Sequence, residues 1–264
     1  MKAAPCRVAL AASTWAVCIP LLAGLAFGEG MLNLPPQPAP EYYGDVLLNR
    51  TPKEKEVAPV YFSHWVHRVK YTCRVCHYEL EFSMKSNDTA IVCDKGRMGG
   101  KFCAACHDGK VTFGPKEEGK ETCDKCHNTS GSPNTKVFQE LQNRLPKDRF
   151  GNEIDWSKAL DEMRITPLDS LSGGTRGIVN IKVFTLKAEM SGIPSAVFPH
   201  KTHEQWLDCS SCHPELFNIK KKTTQSLRMS NMIRGESCAV CHLRVAFPLD
   251  DCRKCHPSMR GRAP

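Results

Sequence analysis

Cys73-Arg74-Val75-Cys76-His77 is the first of six Cys-x-x-Cys-His strings in this chain, and the other five end at His107, His127, His213, His242 and His256. Their cysteines are Cys103 and Cys106, Cys123 and Cys126, Cys209 and Cys212, Cys238 and Cys241, and Cys252 and Cys255. This is the pattern of c-type haem attachment. Two thiols are spaced to add to the two vinyl groups of one porphyrin, and the next residue is an imidazole placed to face the iron. Zinc sites, redox dithiols and disulfide frameworks also use Cys-x-x-Cys. None of them needs a histidine directly after the second cysteine, and all six copies here have one. The sequence therefore predicts six covalently bound haem c groups, with the six motif histidines as proximal iron ligands.

The first residues read as a secretory leader, which is where such chemistry belongs. Lys2 and Arg7 precede an apolar run from Val8 to Leu25, and Ala26-Phe27-Gly28 offers a small-x-small cleavage site. The competing readings are an uncleaved anchor and, through Cys18, a lipoprotein. An exported protein, periplasmic or on the outer surface or extracellular, is the expectation. Cleavage would leave 236 of 264 residues, about 39 per haem, so the haems are expected to form much of the interior. The formal charge of +8 suggests an anionic partner at first sight. Haem propionates offset that excess, and no basic stripe interleaved with aromatics supports nucleic acid. The remaining cysteine downstream of the leader, Cys93, is read as a small packing residue.

The chain repeats itself. Val60-Tyr61-Phe62-Ser63-His64-Trp65-Val66-His67 precedes Cys73, and Ala196-Val197-Phe198-Pro199-His200-Lys201-Thr202-His203 precedes Cys209 at a constant offset of 136. The expected organisation is a signal peptide over 1–28, a proline-rich segment over 29–56, a triheme unit over 57–128, a haem-free insert over 129–193 and a second triheme unit over 194–264. The proline-rich segment is read as a spacer or a docking arm. Within the insert, turn formers run through residues 130–133. Trp156, Ala159, Leu160 and Met163 then fall at helical spacing behind Asp155 as a cap. Val179, Ile181 and Val183 alternate as a short strand. Elsewhere short helices should hold the motifs between irregular loops.

Six of the ten histidines are in motifs, which leaves His64, His67, His200 and His203. Their two identical settings just before a haem site mark them as distal iron ligands. Zinc on a paired His-x-x-His is the alternative, but no carboxylate or third histidine recurs in both copies.

The Phe-x-His-x-x-His segment followed by three Cys-x-x-Cys-His motifs, twice over, resembles the triheme cytochrome c7 class, related to cytochrome c3, in a doubled form. The resemblance covers about 57–128 and 194–257. It implies a multihaem cytochrome c fold of low regular secondary structure, with short α-helices, loops around haems and a few short β-strands. It also implies that His64 ligates the haem of His77, His67 that of His107, His200 that of His213 and His203 that of His242. The family has a third distal histidine before the second motif, where this chain has Gly99 and Arg234. Met98 in the first unit and Met232 or Met229 in the second are the candidate replacements, serving the haems of His127 and His256. Thioether ligation raises a haem's reduction potential.

Together these features point to an electron carrier that relays single electrons to redox partner proteins, such as other multihaem cytochromes or an outer-membrane conduit. The resemblance adds a link to respiration on extracellular metal acceptors. The alternatives are a multihaem reductase with an open iron and a subunit of a cytochrome filament.

Overall fold

The computed structural model describes residues 34–54, 56–92, 99–117, 119–127, 134–174, 176–217 and 227–259. The expected leader, Cys93 and Met98 lie outside the described residues. In chain order the elements are β1 (Asp45–Leu48), α1 (Arg50–Glu54), β2 (Val60–Ser63), α2 (His64–Arg68), β3 (Lys116–Glu117), β4 (Lys120–Glu121), α3 (Thr135–Arg144), α4 (Trp156–Asp161), β5 (Val183–Leu186), β6 (Ala196–Pro199), α5 (His200–Glu204), α6 (Met229–Ile233), α7 (Ala239–His242) and α8 (Cys252–Cys255). Tight turns hold the other motifs. Regular structure is as sparse as the sequence predicts, because each attachment motif fixes one short turn. Among the described residues no helix is long and apolar enough to cross a membrane.

Among the described residues, two of the three antiparallel ribbons are copies of each other. β1 pairs with β2, Val46 opposite Phe62, and β5 pairs with β6, Phe184 opposite Phe198. In both, the second strand runs directly into a five-residue helix that begins with a histidine, α2 or α5. The His64 amide donates to Gly44 O (3.3 Å) and the His200 amide to Lys182 O (3.0 Å), which extends each ladder by one rung. The structural repeat thus begins upstream of residues 57 and 194, at the outer strand of each ribbon.

The insert is a packed body. Asn134 caps α3 by accepting from the Val137 amide, and Asp155 caps α4 by accepting from the Lys158 amide. Phe138, Leu141, Leu145, Ile154, Ala159 and Ile165 from the insert, with Trp65 and Trp206, form the buried cluster. Trp65 meets Phe138 edge-on at 5.1 Å, so one tryptophan from each unit is anchored in the same hydrocarbon core. Met163 departs from the expected pattern: α4 ends at Asp161, Met163 adopts φ 53° and is 79% exposed, and Ile165 takes the inward position. The expected strand at 179–183 is also displaced, to 183–186. The reason is that the Val179 and Asn180 amides donate to the Glu204 carboxylate at 2.9 and 2.8 Å instead of joining a ladder.

The proline-rich segment docks. Gln37 Nε2 donates to Asp250 (2.6 Å), Tyr43 Oη donates to Ala246 O (2.6 Å), and Asn152 Nδ2 donates to Pro40 O and Tyr43 O. The first motif abuts the second unit as well: the Arg74 amide donates to Trp206 O (3.1 Å), and its guanidinium pairs with Glu79 (2.5 Å) and Asp208 (3.4 Å).

Candidate haem centres

On a helical turn, residues i, i+3 and i+4 share a face, so Cys-x-x-Cys-His presents two sulfurs and one imidazole to the same side. Five of the six motifs close that turn with the histidine amide donating to the first cysteine's carbonyl. The distances are 2.8 Å at His107, 2.7 Å at His127, 2.9 Å at His213, 3.0 Å at His242 and 2.7 Å at His256. The first motif is a π turn over Val75–Glu79. The twelve motif cysteines form no disulfide.

Six of the ten imidazoles come in facing pairs. His64 and His77 lie 6.4 Å apart between ring centroids with planes 5° apart; His67 and His107 lie 6.2 Å apart at 55°; His203 and His242 lie 6.2 Å apart at 63°. Two imidazoles bound on opposite sides of one metal, each with a metal–nitrogen distance of about 2.0 Å, have centroids roughly 6.3 Å apart. The spacing of all three pairs is therefore that of ligands sharing one iron. Phenylalanines fix the rings in the same way in both units: Phe62 stacks on His67 at 4.5 Å and Phe198 on His203 at 4.3 Å, while Phe113 and Phe247 pack on His107 and His242 at 4.5 and 4.3 Å. His200 and His213 are not in ring contact; His200 meets Phe184 and Phe198, and His213 meets Phe217.

Each of the ten histidines offers Nδ1 to a main-chain carbonyl. His64 donates to Gly44 O (2.7 Å), His67 to Ser63 O (3.2 Å), His77 to Phe82 O (2.9 Å), His107 to Phe113 O (3.0 Å) and His127 to Ala58 O (2.6 Å). In the second unit His200 donates to Lys182 O (3.1 Å), His203 to Pro199 O (2.9 Å), His213 to Phe217 O (2.6 Å), His242 to Phe247 O (2.9 Å) and His256 to Pro194 O (2.6 Å). A proton held at Nδ1 leaves the Nε2 lone pair free, and that partner sets ring orientation and ligand basicity. Burial also pushes His64 down to about 3 and His242 to about 4, and lowers His67, His77 and His203. These rings are neutral at physiological pH, the form that binds iron. The donor set fits haem c: paired thiols, an adjacent imidazole and a facing one.

The third histidines, His127 and His256, share one backbone setting. Their carbonyl partners Ala58 and Pro194 each lie six residues before the first distal candidate and differ by the repeat offset of 136. Met229 and Met232 are half-buried on α6, which packs against α7. Sequence reasoning missed the orienting carbonyls. Ala58 and Pro194 carried a signal in their shared offset, whereas Gly44 and Lys182 carried none in their side chains.

The sequence model of the family described as cytochrome c7 and related cytochrome c matches residues 60–128 and 196–257. Two solved structures are similar. The C-terminal hexaheme fragment of GSU1996 is 26% identical with a TM-score of 0.25, the match covering 81% of this chain and 96% of that one. The dodecaheme cytochrome c GSU1996 is 26% identical with a TM-score of 0.27, covering 77% of this chain and 72% of that one. No curated protein matches the chain.

Proposed function

Because this chain belongs to the family of cytochrome c7 and related cytochromes c, with two such units in tandem, it is a multihaem cytochrome that passes electrons along covalently bound haems, and we propose that it works as an exported hexahaem carrier between redox partner proteins. The observation that carries this reading is the set of facing imidazole pairs at 6.2–6.4 Å, each ring fixed through Nδ1. Bound haem supplies a one-electron ferric–ferrous couple. His64 with His77, His67 with His107 and His203 with His242 would hold bound haem, which would then change oxidation state with little rearrangement of these ligands.

In this reading His64 serves the haem of His77, His67 that of His107, His200 that of His213 and His203 that of His242. Met98, and Met232 or Met229, serve the haems of His127 and His256. Triheme units over 57–128 and 194–264 flank the insert over 129–193. The leader over 1–28 directs the chain to the periplasm or cell surface, and its partners are other multihaem cytochromes on a route to an extracellular metal acceptor. The full use of ten histidines in six proximal and four distal roles argues for relay over substrate chemistry.

Low-temperature EPR with near-infrared magnetic circular dichroism on the ferric holoprotein tests the ligand set. Four bis-imidazole and two imidazole–thioether irons are expected. High-spin iron that binds cyanide when ferric, or carbon monoxide once reduced, would replace this reading with a reductase. Fractionation of cells with haem staining, and the mature N-terminus, test export: haem-stained chain with an intact leader in the cytoplasm would overturn it.

A further inference from the structure

Arg68 touches both units and the insert between them. It ends α2 one residue after His67, its Nη2 donates to Val245 O (2.6 Å), and its guanidinium lies 5.1 Å from the Trp156 ring and 5.8 Å from the Trp206 ring. Val245 opens the turn that closes the fifth motif. The amides of Val245 and Ala246 donate to Cys241 O at 2.9 and 3.0 Å, and Phe247 O receives His242 Nδ1. Tyr43 reaches the same turn through Ala246 O, and its neighbour Gly44 receives His64 Nδ1. One contact therefore joins the elements that orient a ligand pair in the first unit to the turn that orients His242 in the second.

Burial lowers the Arg68 pKa, and Cys73, Cys241 and Tyr43 lie within electrostatic reach of it. Its charge also reaches His64 and His242. A desolvated cation is costly to bury, and this one lies beside the ligands and thiols of two haem sites.

Resting on the electron-carrier reading, we propose that Arg68 is a positioning residue shared by the His77 site and the His242 site, and that its charge favours reduced iron at both over the remaining four. Each site takes one electron, ferric to ferrous, and so loses one positive charge beside a fixed cation; no bond forms or breaks and no proton moves. The electron comes from a one-electron reductant, dithionite in the experiment below.

The test is an NMR-followed redox titration of the holoprotein with dithionite and soluble mediators, reading each haem's methyl signals. Arg68→Gln keeps a donor for Val245 O and removes the charge. At fixed potential it should lower the reduced-to-oxidised ratio about tenfold, which is 59 mV for a one-electron couple, at the His77 and His242 sites alone. Arg68→Lys should retain the wild-type ratios, and Ala246→Asp, which adds a counter-charge beside an intact Arg68, should lower the same two. Unchanged ratios in Arg68→Gln, or in Ala246→Asp should the first variant not mature, would overturn the inference; so would an equal shift at all six sites, the mark of general loosening. A wild-type protein that does not titrate reversibly, one electron per site, would instead defeat the carrier reading itself.

Discussion

His64 and His77 face each other with ring planes only 5° apart, whereas the pairs His67–His107 and His203–His242 are turned by 55° and 63°. Parallel axial imidazoles split the iron's two π-bonding d orbitals, and steeply crossed ones bring them toward degeneracy. The ferric EPR spectrum should therefore contain a rhombic low-spin signal that disappears in His64→Ala, and large-g signals that survive it. In that variant the iron of His77 should become high-spin and, once reduced, bind one equivalent of carbon monoxide. A rhombic low-spin intensity that is unchanged in His64→Ala would disprove the pairing.

Trp206 is 9% exposed and sits in the cluster built by Phe138, Leu141 and Ala159. Trp206→Ala leaves a cavity there and should cost about 3–5 kcal/mol, read as a lowered denaturation midpoint. Haem content should be unchanged, because this tryptophan ligates nothing.

Gly114 follows Phe113, whose carbonyl orients His107. A Cβ at this position would lie 2.8 Å from the Gly109 amide nitrogen and 3.0 Å from the Asp108 carbonyl carbon, both main-chain atoms. Gly114→Ala should therefore cost about 1–3 kcal/mol and broaden the EPR signal of the His107 iron, with the His242 signal unaltered. Equal broadening of both would refute a local effect.

Acid should loosen the junction between the units. Burial alone would raise the Asp208 carboxyl, but hydrogen bonds from Ser210 and the charges of Arg176 and Arg74 bring it below the ordinary value. Glu79 is likewise lowered: burial opposes the shift, and the Leu171 amide and Arg74 outweigh it. A depressed folded-state pKa gives stability that is present above the unfolded value, near pH 4, and is lost as pH falls through the folded one. Thermal unfolding of the holoprotein should thus show a fall in midpoint below about pH 4 that is smaller in Arg74→Gln than in wild type. An identical fall in the two proteins would exclude this ion pair as the cause.

The attachment sites were legible because covalent chemistry dictates residue type and spacing together, and the repeat was legible because His64, His67 and Cys73 keep one offset from their copies. What stayed hidden is carried by atoms every residue has. Gly44 and Lys182 orient equivalent histidines through their carbonyls, so nothing about either side chain announces the role. The helical spacing of Phe138, Leu141 and Leu145 behind Asn134 carries the signal for α3. The strand at 179–183 failed for a different reason: Glu204, distant in sequence, captures two amides that alternation alone would assign to a ladder. The docking of the proline-rich arm rests on partners such as Asp250 and Ala246, more than 200 residues away.

The eight buried residues of the cluster that grips Trp65 on one side and Trp206 on the other include no motif cysteine or histidine, and Cys73 packs against them. Its consequence is mechanical. A close-packed strut of low compressibility holds the span between the two conducting halves, so that span should not vary with solvent viscosity or with whichever molecule docks at either end. The rate at which charge traverses the molecule then becomes a trait of its own interior.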